Sequence, residues 1–561
     1  MAQIKKTFFQ TSALLVFMAA LIFIPRVQRL GAYITADEQW TLNGSGGFYY
    51  ALSNKHFEDA ILVKHPAVTT FYAGAASFLT FFPDYSKAGA LPMPDSTMLI
   101  LLNNHQVPYL QLLAGSRLFI ILFQTILLLA AFQLVRSIFS TRIAVAGILL
   151  LSFEPFFFAH SRLLTTDGLL STTFFTTTLA VIRYTQTHQK KYLYFTGLFA
   201  ALAYLTKTPS IILFPLVGLL MLLDLWRRQR SSRQKIRWGT QLAAPFGIFI
   251  LFTAATVYVL WPALWKSPFT AIQILQYAFE TSAGEHTSQM FFNGEVIPEG
   301  IFQARHFYFY PLNYLWRTTP VTLVGLAAAF AGLFQKSTSL IKKYRWPVMS
   351  LGLLAVLFTI FMSFSAKRAD RYLLPVFPPL SLIAAAGWVS ISGALAPRAG
   401  RFHKQFVPAA LGLVILMQIL PVVQTFPYYL SYYNPVMGGS QKAPEVMMIG
   451  WGEGLEQAAD YLNQKLDPAG LVIFTWYPQI MDYVARGTVF KLPISYPIDD
   501  EYLADMLAAD YAVTYIHQWQ RRSSARLLDY LEDKPVEHSI WINGIEYVRI
   551  YNMNAIREGT P

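Results

Sequence analysis

A few ionisable side chains interrupt this chain where it is otherwise apolar, and their types suit proton transfer and anion binding. Asp37 and Glu38 stand together in "YITADEQWTLNG". Lys64 and His65 precede Pro66 in "DAILVKHPAVTTFYAG". Glu154, His160, Arg162 and Asp167 fall within "FEPFFFAHSRLLTTDGLL", and Lys207 follows "YLT". Lys367, Arg368, Asp370 and Arg371 crowd into "FSAKRADRYLLPVFPPL". A carboxylate can take a proton from an attacking hydroxyl, and cations can hold a leaving group on which charge develops. Thr35, followed three residues later by Glu38, reads as a capping box, which gives Glu38 a structural task. Asp37 is then expected in the first helical turn, where the helix dipole favours a carboxylate and suits a general base. Glu38 would lie about 100° further round, so the two could not address one atom. Lys64 and His65 come just before a helix that Pro66 opens, and Lys64 there could hold an anion. His65 alone reads as a local hydrogen-bonding residue. Asp370 and Arg371 have two readings: a surface ion pair worth under about 1 kcal/mol, or a cationic clamp for phosphate with Arg as the suited donor.

These residues need a scaffold, and composition says which kind. Of 561 residues 54% are hydrophobic and only 13% charged, about half the charge of an ordinary soluble chain. Uncharged runs such as "LFIILFQTILLLAAFQLV" and "FGIFILFTAATVYVL" approach the roughly 20 residues a membrane helix needs. Spans are expected near 8–25, 112–135, 143–160, 167–183, 192–206, 209–226, 239–262, 318–335, 346–365, 372–393 and 405–425. The stretch 192–226 is divided because one helix of about 34 residues would measure roughly 50 Å, too long for a core of about 30 Å. Basic clusters at both of its ends also require two crossings. Lys5 and Lys6 precede the first run, which is expected to be retained rather than cleaved, since no small-x-small site follows.

The net charge of +13 comes mostly from short loops between apolar runs, as the positive-inside rule expects. No basic groove or nucleic-acid motif appears, so nucleic acid is not an expected partner. With no cysteine, disulfides and thiolate metal sites are excluded. The alternation of basic loops puts the N-terminus inside and three larger segments outside: 26–111, 263–317 and the tail from about 426. The ionisable candidates then gather at the outer ends of the spans. Charge at membrane depth is costly, so a one-sided set of this kind points to a site. From 426 to 561 helical patterns alternate with β-rich runs such as "GLVIFTW" and "YAVTYIH", and "HSIWINGIEYVRIYN" looks like a hairpin around Asn543-Gly544. A membrane unit over 1–425 and a small extracytoplasmic α/β domain over 426–561 are therefore expected.

The Asp-Glu pair, "KHP", "HSRLLTTD", "YLTKTP" and "DRYLLPVFPP" occur in that order over residues 1–395. Together they resemble the C-type glycosyltransferases, especially dolichyl-phosphate-mannose protein mannosyltransferases and the bacterial enzymes that add aminoarabinose to lipid A. "PYYLSYYNPVMGG" and "GWGEGLEQAADYL" look like the extension of a prokaryotic subgroup. The resemblance implies a polytopic helical fold of about eleven spans in the plasma membrane, and inverting transfer of a sugar from a polyprenyl-phosphate donor to a protein, lipid or glycan acceptor. It implies Asp37 as base and Lys64 and His65 at the donor, with Ala67 where the family carries a second Pro. Arg162, Lys207, Arg368 and Arg371 are the further candidates for the donor phosphate. Glu38, Glu154, Asp167 and His286, the last in "GEHTSQMFFNG", are supporting candidates. In the aminoarabinose branch a Glu before the Lys helps bind metal. Val63 stands here, so no cofactor is expected to be required, and the part of a divalent cation stays open. The residues alone also allow a secondary transporter or a polymer-export subunit. A transporter would carry midplane charges and internal repeats, and neither is evident.

Overall fold

The computed structural model describes residues 2–60, 66–88, 95–232, 237–273, 276, 289–297, 306–334, 340–365, 368–491 and 500–559. Lys64, His65, His286 and Lys367 lie outside these described residues.

Helices occupy every expected span. They include Ala2–Arg26, Tyr109–Ile138, Thr141–Ser152, Thr166–Thr187, Lys190–Thr206, Leu213–Ser232, Ala244–Leu260, Pro320–Phe334, Arg345–Ser363, Phe377–Leu395 and His403–Gln424. Among the described residues, five helical stretches are long and apolar enough to cross a membrane, or six if the pair Phe309–Arg317 and Pro320–Phe334, bent by 116°, is one span. One of the five, Asp370–Gln424, runs through two expected spans and breaks at Gly400. The expected division at Lys207-Thr208-Pro209 is present. Lys207 is extended, and a 3-10 turn over Thr208–Ile212 follows it.

Helix Thr166–Thr187 is threonine-rich and less apolar than its neighbours, yet it is buried along nearly its whole length. Thr172, Thr173, Thr176, Thr177 and Thr178 each donate a hydroxyl hydrogen to a carbonyl one turn back. The buried polar groups are thus satisfied within the helix. Small residues also bring elements close. A Cβ on Gly387 would lie 2.0 Å from the Gly325 carbonyl oxygen, so Phe377–Leu395 and Pro320–Phe334 touch backbone to backbone.

The segment expected outside between the first two spans builds helices Glu38–Ser53, Val68–Phe81 and Asp95–Asn104. The segment from 263 to 317 contains a hairpin of β1 (Met290–Phe292) and β2 (Glu295–Ile297). The C-terminal unit holds β3 (Val472–Thr475), β4 (Thr488–Lys491), β5 (Tyr511–Tyr515), β6 (His538–Ile542) and β7 (Ile545–Asn552) in the order β4-β3-β5-β7-β6. β3 pairs parallel with β4 and β5, while β7 is antiparallel to β5 and β6. The β6–β7 turn is Asn543-Gly544, with φ of 50° and 79°, the positive values a tight two-residue hairpin requires. Phe474, Met506, Leu527 and Tyr551 form a small separate core. Ile473, Val513, Tyr515 and Val548 join the core of the helical bundle, so the sheet is packed onto the bundle. The molecule is a multi-span helical membrane protein with a small C-terminal sheet unit.

Candidate active site

Asp37 is positioned by its neighbour. The Glu38 carboxylate accepts from the Thr35 backbone N–H at 3.1 Å, the Thr35 hydroxyl at 2.9 Å and the Leu164 N–H at 2.8 Å. Arg117 Nε donates to it at 2.7 Å, and a second guanidinium nitrogen pairs with its other oxygen. Burial pushes the Glu38 carboxyl up, but the charge and hydrogen bonds of Arg117 outweigh it and hold the group below its ordinary range. Half of the expected capping box is present, since Glu38 reaches back to the Thr35 N–H. The other half is not: Thr35 gives its hydroxyl to the carboxylate, and the helix starts at Glu38 with Asp37 as N-cap. Asp37 is therefore one position ahead of the first turn. Its side chain caps no backbone group and is 50% exposed.

The Asp37 carboxylate instead accepts from Arg371 Nη2 at 3.1 Å. Arg371 Nε stands 3.7 Å from Asp167 Oδ2, beyond a hydrogen bond, and is buried without a partner among the described residues. Asp167 Oδ1 accepts from Lys207 Nζ at 2.7 Å. Carboxylate and cation thus alternate through Asp37, Arg371, Asp167 and Lys207 at one end of the bundle. Two rings hold the cations from the side. The Arg371 guanidinium lies 4.3 Å from the Trp451 ring centroid, and Lys207 Nζ lies 4.7 Å from that of Tyr372. Gly168 lets Asp167 reach this place. A Cβ there would come 2.3 Å from the His160 carbonyl oxygen, so only glycine lets helix Thr166–Thr187 begin against His160.

The other expected residues are placed apart from this row. Arg162 is buried, donates to the Gln28 carbonyl and lies 5.1 Å from the Tyr429 ring. Arg368 donates to the His306 carbonyl at 3.2 Å. Glu154 accepts from the Thr319 N–H at 2.9 Å, the Thr322 hydroxyl at 2.7 Å and Gln418 Nε2 at 3.0 Å, tying three helices together. Asp370 does not pair with the Arg371 guanidinium. It accepts the Arg371 backbone N–H at 2.7 Å and pairs with Arg317 Nη2 at 2.7 Å. The described chain resumes at Pro66, and the Ala67 N–H donates to Thr206 O at 3.2 Å beside Lys207. Arg117, Arg317 and Trp451 were not anticipated. Arg117 lies inside the expected span 112–135, so its depth was a usable signal. Arg317 stands at the edge of its expected span, and Trp451 lies in the segment "GWGEGLEQAADYL", whose resemblance to a family extension flagged the segment but not this residue. Among the described residues no three His, Asp or Glu side chains gather to hold a metal ion. Asp37 and Asp167 are each paired with a cation.

Comparison with known proteins gives a match to one family over part of the chain. Residues 112–252 match the family model of dolichyl-phosphate-mannose-protein mannosyltransferase. The match contains Asp167 and Lys207 and stops short of Asp37 and Arg371. No curated protein matches the chain. Among solved structures, the apo state of ArnT from Cupriavidus metallidurans is similar with a TM-score of 0.48 and 12% identity, over 97% of this chain and 98% of that one. ArnT bound to undecaprenyl phosphate gives 0.46 and 11%, over 96% and 98%. The archaeal oligosaccharyltransferase AglB from Archaeoglobus fulgidus, in complex with an inhibitory peptide and a dolichol-phosphate, gives 0.46 and 12%, over 92% of this chain and 70% of that one.

Proposed function

We propose that the chain is a membrane glycosyltransferase that moves a sugar from a polyprenyl-phosphate donor to an acceptor hydroxyl at the outer face of the membrane, with inversion. The observation that carries this reading is the Asp37 carboxylate, half exposed and paired with Arg371, at the head of a row with two cations. The family match over 112–252 points the same way. In the reaction the acceptor O–H gives its proton to Asp37 while its oxygen forms a bond to the anomeric carbon. The bond from that carbon to the phosphate oxygen breaks on the opposite face, and polyprenyl phosphate leaves. Arg371 and Lys207 hold the departing charge, with Lys64 as a further candidate, so no nucleotide site is needed. Asp167 keeps both cations in place between turnovers.

The test is transfer by purified protein from radiolabelled polyprenyl-phosphate sugars over a panel of donors and acceptors. Asp37→Asn keeps the shape and removes the base, so turnover should fall by roughly 10²-fold or more with donor binding little changed. Near-normal turnover in a folded Asp37→Asn preparation would move the base elsewhere, with Asp167 and Glu154 next.

A further inference from the structure

The proposed reaction uses no residue of the segment "GWGEG", residues 450–454. Its glycines alternate with Trp451 and Glu453. Gly450, Gly452 and Gly454 all have positive φ, of 84°, 119° and 91°, a region where glycine is the favoured residue. The backbone can therefore turn tightly and come close to another segment. A Cβ on Gly452 would lie 2.8 Å from the Ile34 carbonyl oxygen and 3.6 Å from the Ala36 nitrogen. The loop thus lies against the backbone of the residues that lead into Asp37.

Two contacts leave this loop from one residue. The Trp451 carbonyl accepts from the Ala36 N–H at 2.9 Å, one position before Asp37. The Trp451 indole lies 4.3 Å from the Arg371 guanidinium, and its ring stands 5.7 Å from that of His160. Asp37 and Arg371, paired at 3.1 Å, therefore both rest on Trp451. The ring is buried, and a guanidinium over a desolvated ring is held more firmly than one over an exposed ring. The loop is itself anchored in the C-terminal unit. The Trp451 N–H donates to the buried Glu453 carboxylate at 2.6 Å, and the Gly452 N–H donates to the Tyr515 hydroxyl of β5 at 2.9 Å.

We propose that Trp451 is a positioning residue for the transfer. Its ring holds the Arg371 guanidinium that the donor phosphate needs, and its carbonyl, through Ala36, holds the segment that carries Asp37. The inference rests on the transferase reading. It makes the C-terminal unit part of the active site without contact to substrate. The two tasks fall to different parts of the loop, a side chain and a backbone, so each can be disturbed separately.

The experiment uses the full chain in nanodiscs and measures two quantities: affinity for bare undecaprenyl phosphate, and turnover with a radiolabelled polyprenyl-phosphate sugar. Trp451→Leu keeps the backbone bond and an apolar side chain but removes the aromatic face. Affinity for the bare lipid should then fall about ten-fold, whereas Trp451→Phe keeps a face and should lose about three-fold or less. Gly452→Ala should do the reverse. Its Cβ displaces the segment 34–36, so turnover should fall on the order of 10²-fold while affinity for the bare lipid stays within about two-fold of wild type. Equal weakening by Trp451→Leu and Trp451→Phe would make Trp451 a packing residue and overturn the proposal. So would a folded Gly452→Ala protein that turns over normally, or one that loses affinity and turnover together. Should Gly452→Ala fail to fold, the comparison of Trp451→Leu with Trp451→Phe decides alone. Wild-type protein that neither binds the lipid nor transfers the sugar would overturn the transferase reading, and the positioning role with it.

Discussion

A phosphate arriving at Arg371 has to share its guanidinium with Asp37, which accepts from Nη2, and with Asp167, 3.7 Å from Nε. Arg suits this position because its planar fork can serve a carboxylate and a phosphate oxygen together. Arg371→Gln should lower affinity for bare polyprenyl phosphate by about ten-fold or more, as measured by lipid binding to the folded variant. Unchanged affinity would remove Arg371 from the phosphate site. Glu38 behaves differently from its neighbour. Its sequence context reads as a cap, but it is buried against Arg117 and accepts from two backbone N–H groups. Glu38→Gln leaves Arg117 buried without its countercharge, which should cost about 3–5 kcal/mol. A lowered unfolding temperature would show it, whereas an unchanged one would mean that Arg117 finds another partner.

Between elements, the joint from the last long helix to the sheet unit is titratable. Tyr428 donates its hydroxyl to Glu456 across this joint, and the Gly454 N–H donates to the other carboxylate oxygen at 3.1 Å. Burial pushes the Glu456 carboxyl up to about 7 from its ordinary 4.5, although the Tyr428 hydrogen bond pulls it down. A raised carboxyl binds its proton more tightly in the folded state, so its contribution to stability is full below pH 4.5 and is lost as pH rises through about 7. Thermal unfolding followed across this window should show a decline that Glu456→Gln removes. An identical slope in the variant would place the titrating group elsewhere. The hairpins at this scale teach a second lesson. Asn543-Gly544 was legible because long alternating strands flank it. Asn293-Gly294 has the same pair and the same φ values of 50° and 79°, but its strands are only three residues each, too short for alternation to be seen.

Across the whole molecule, the charged row, the β1–β2 hairpin and the C-terminal unit stand at one end of the bundle, while His188 and Asp224 meet Arg227 and Arg228 at the other. The positive-inside rule predicts that the second end faces the cytoplasm. The absence of native cysteine makes this directly testable. Arg230→Cys should be shielded from an impermeant thiol reagent in intact cells. Leu466→Cys, on a fully exposed surface of the C-terminal unit, should react. The reverse pattern would invert the molecule and put the proposed site on the cytoplasmic face.

The apolar runs, the break at Lys207-Pro209, the α/β tail and the gathering of Asp37, Asp167, Lys207 and Arg371 at one end of the bundle were readable along the chain. Each depends on residues within a turn or a helix length of one another, or on loop charges that count without contact. Tertiary structure alone decided which cation meets which carboxylate. Asp37 and Arg371 are 334 positions apart, and nothing in either segment chooses Arg371 over Arg162 or Arg368. Those two are drawn to the carbonyls of Gln28 and His306, while Trp451, from a tail segment bound through its carbonyl to the Ala36 N–H, stacks on Arg371. Periodicity is a local property, and a site is a set of distances that exists only once distant segments have packed.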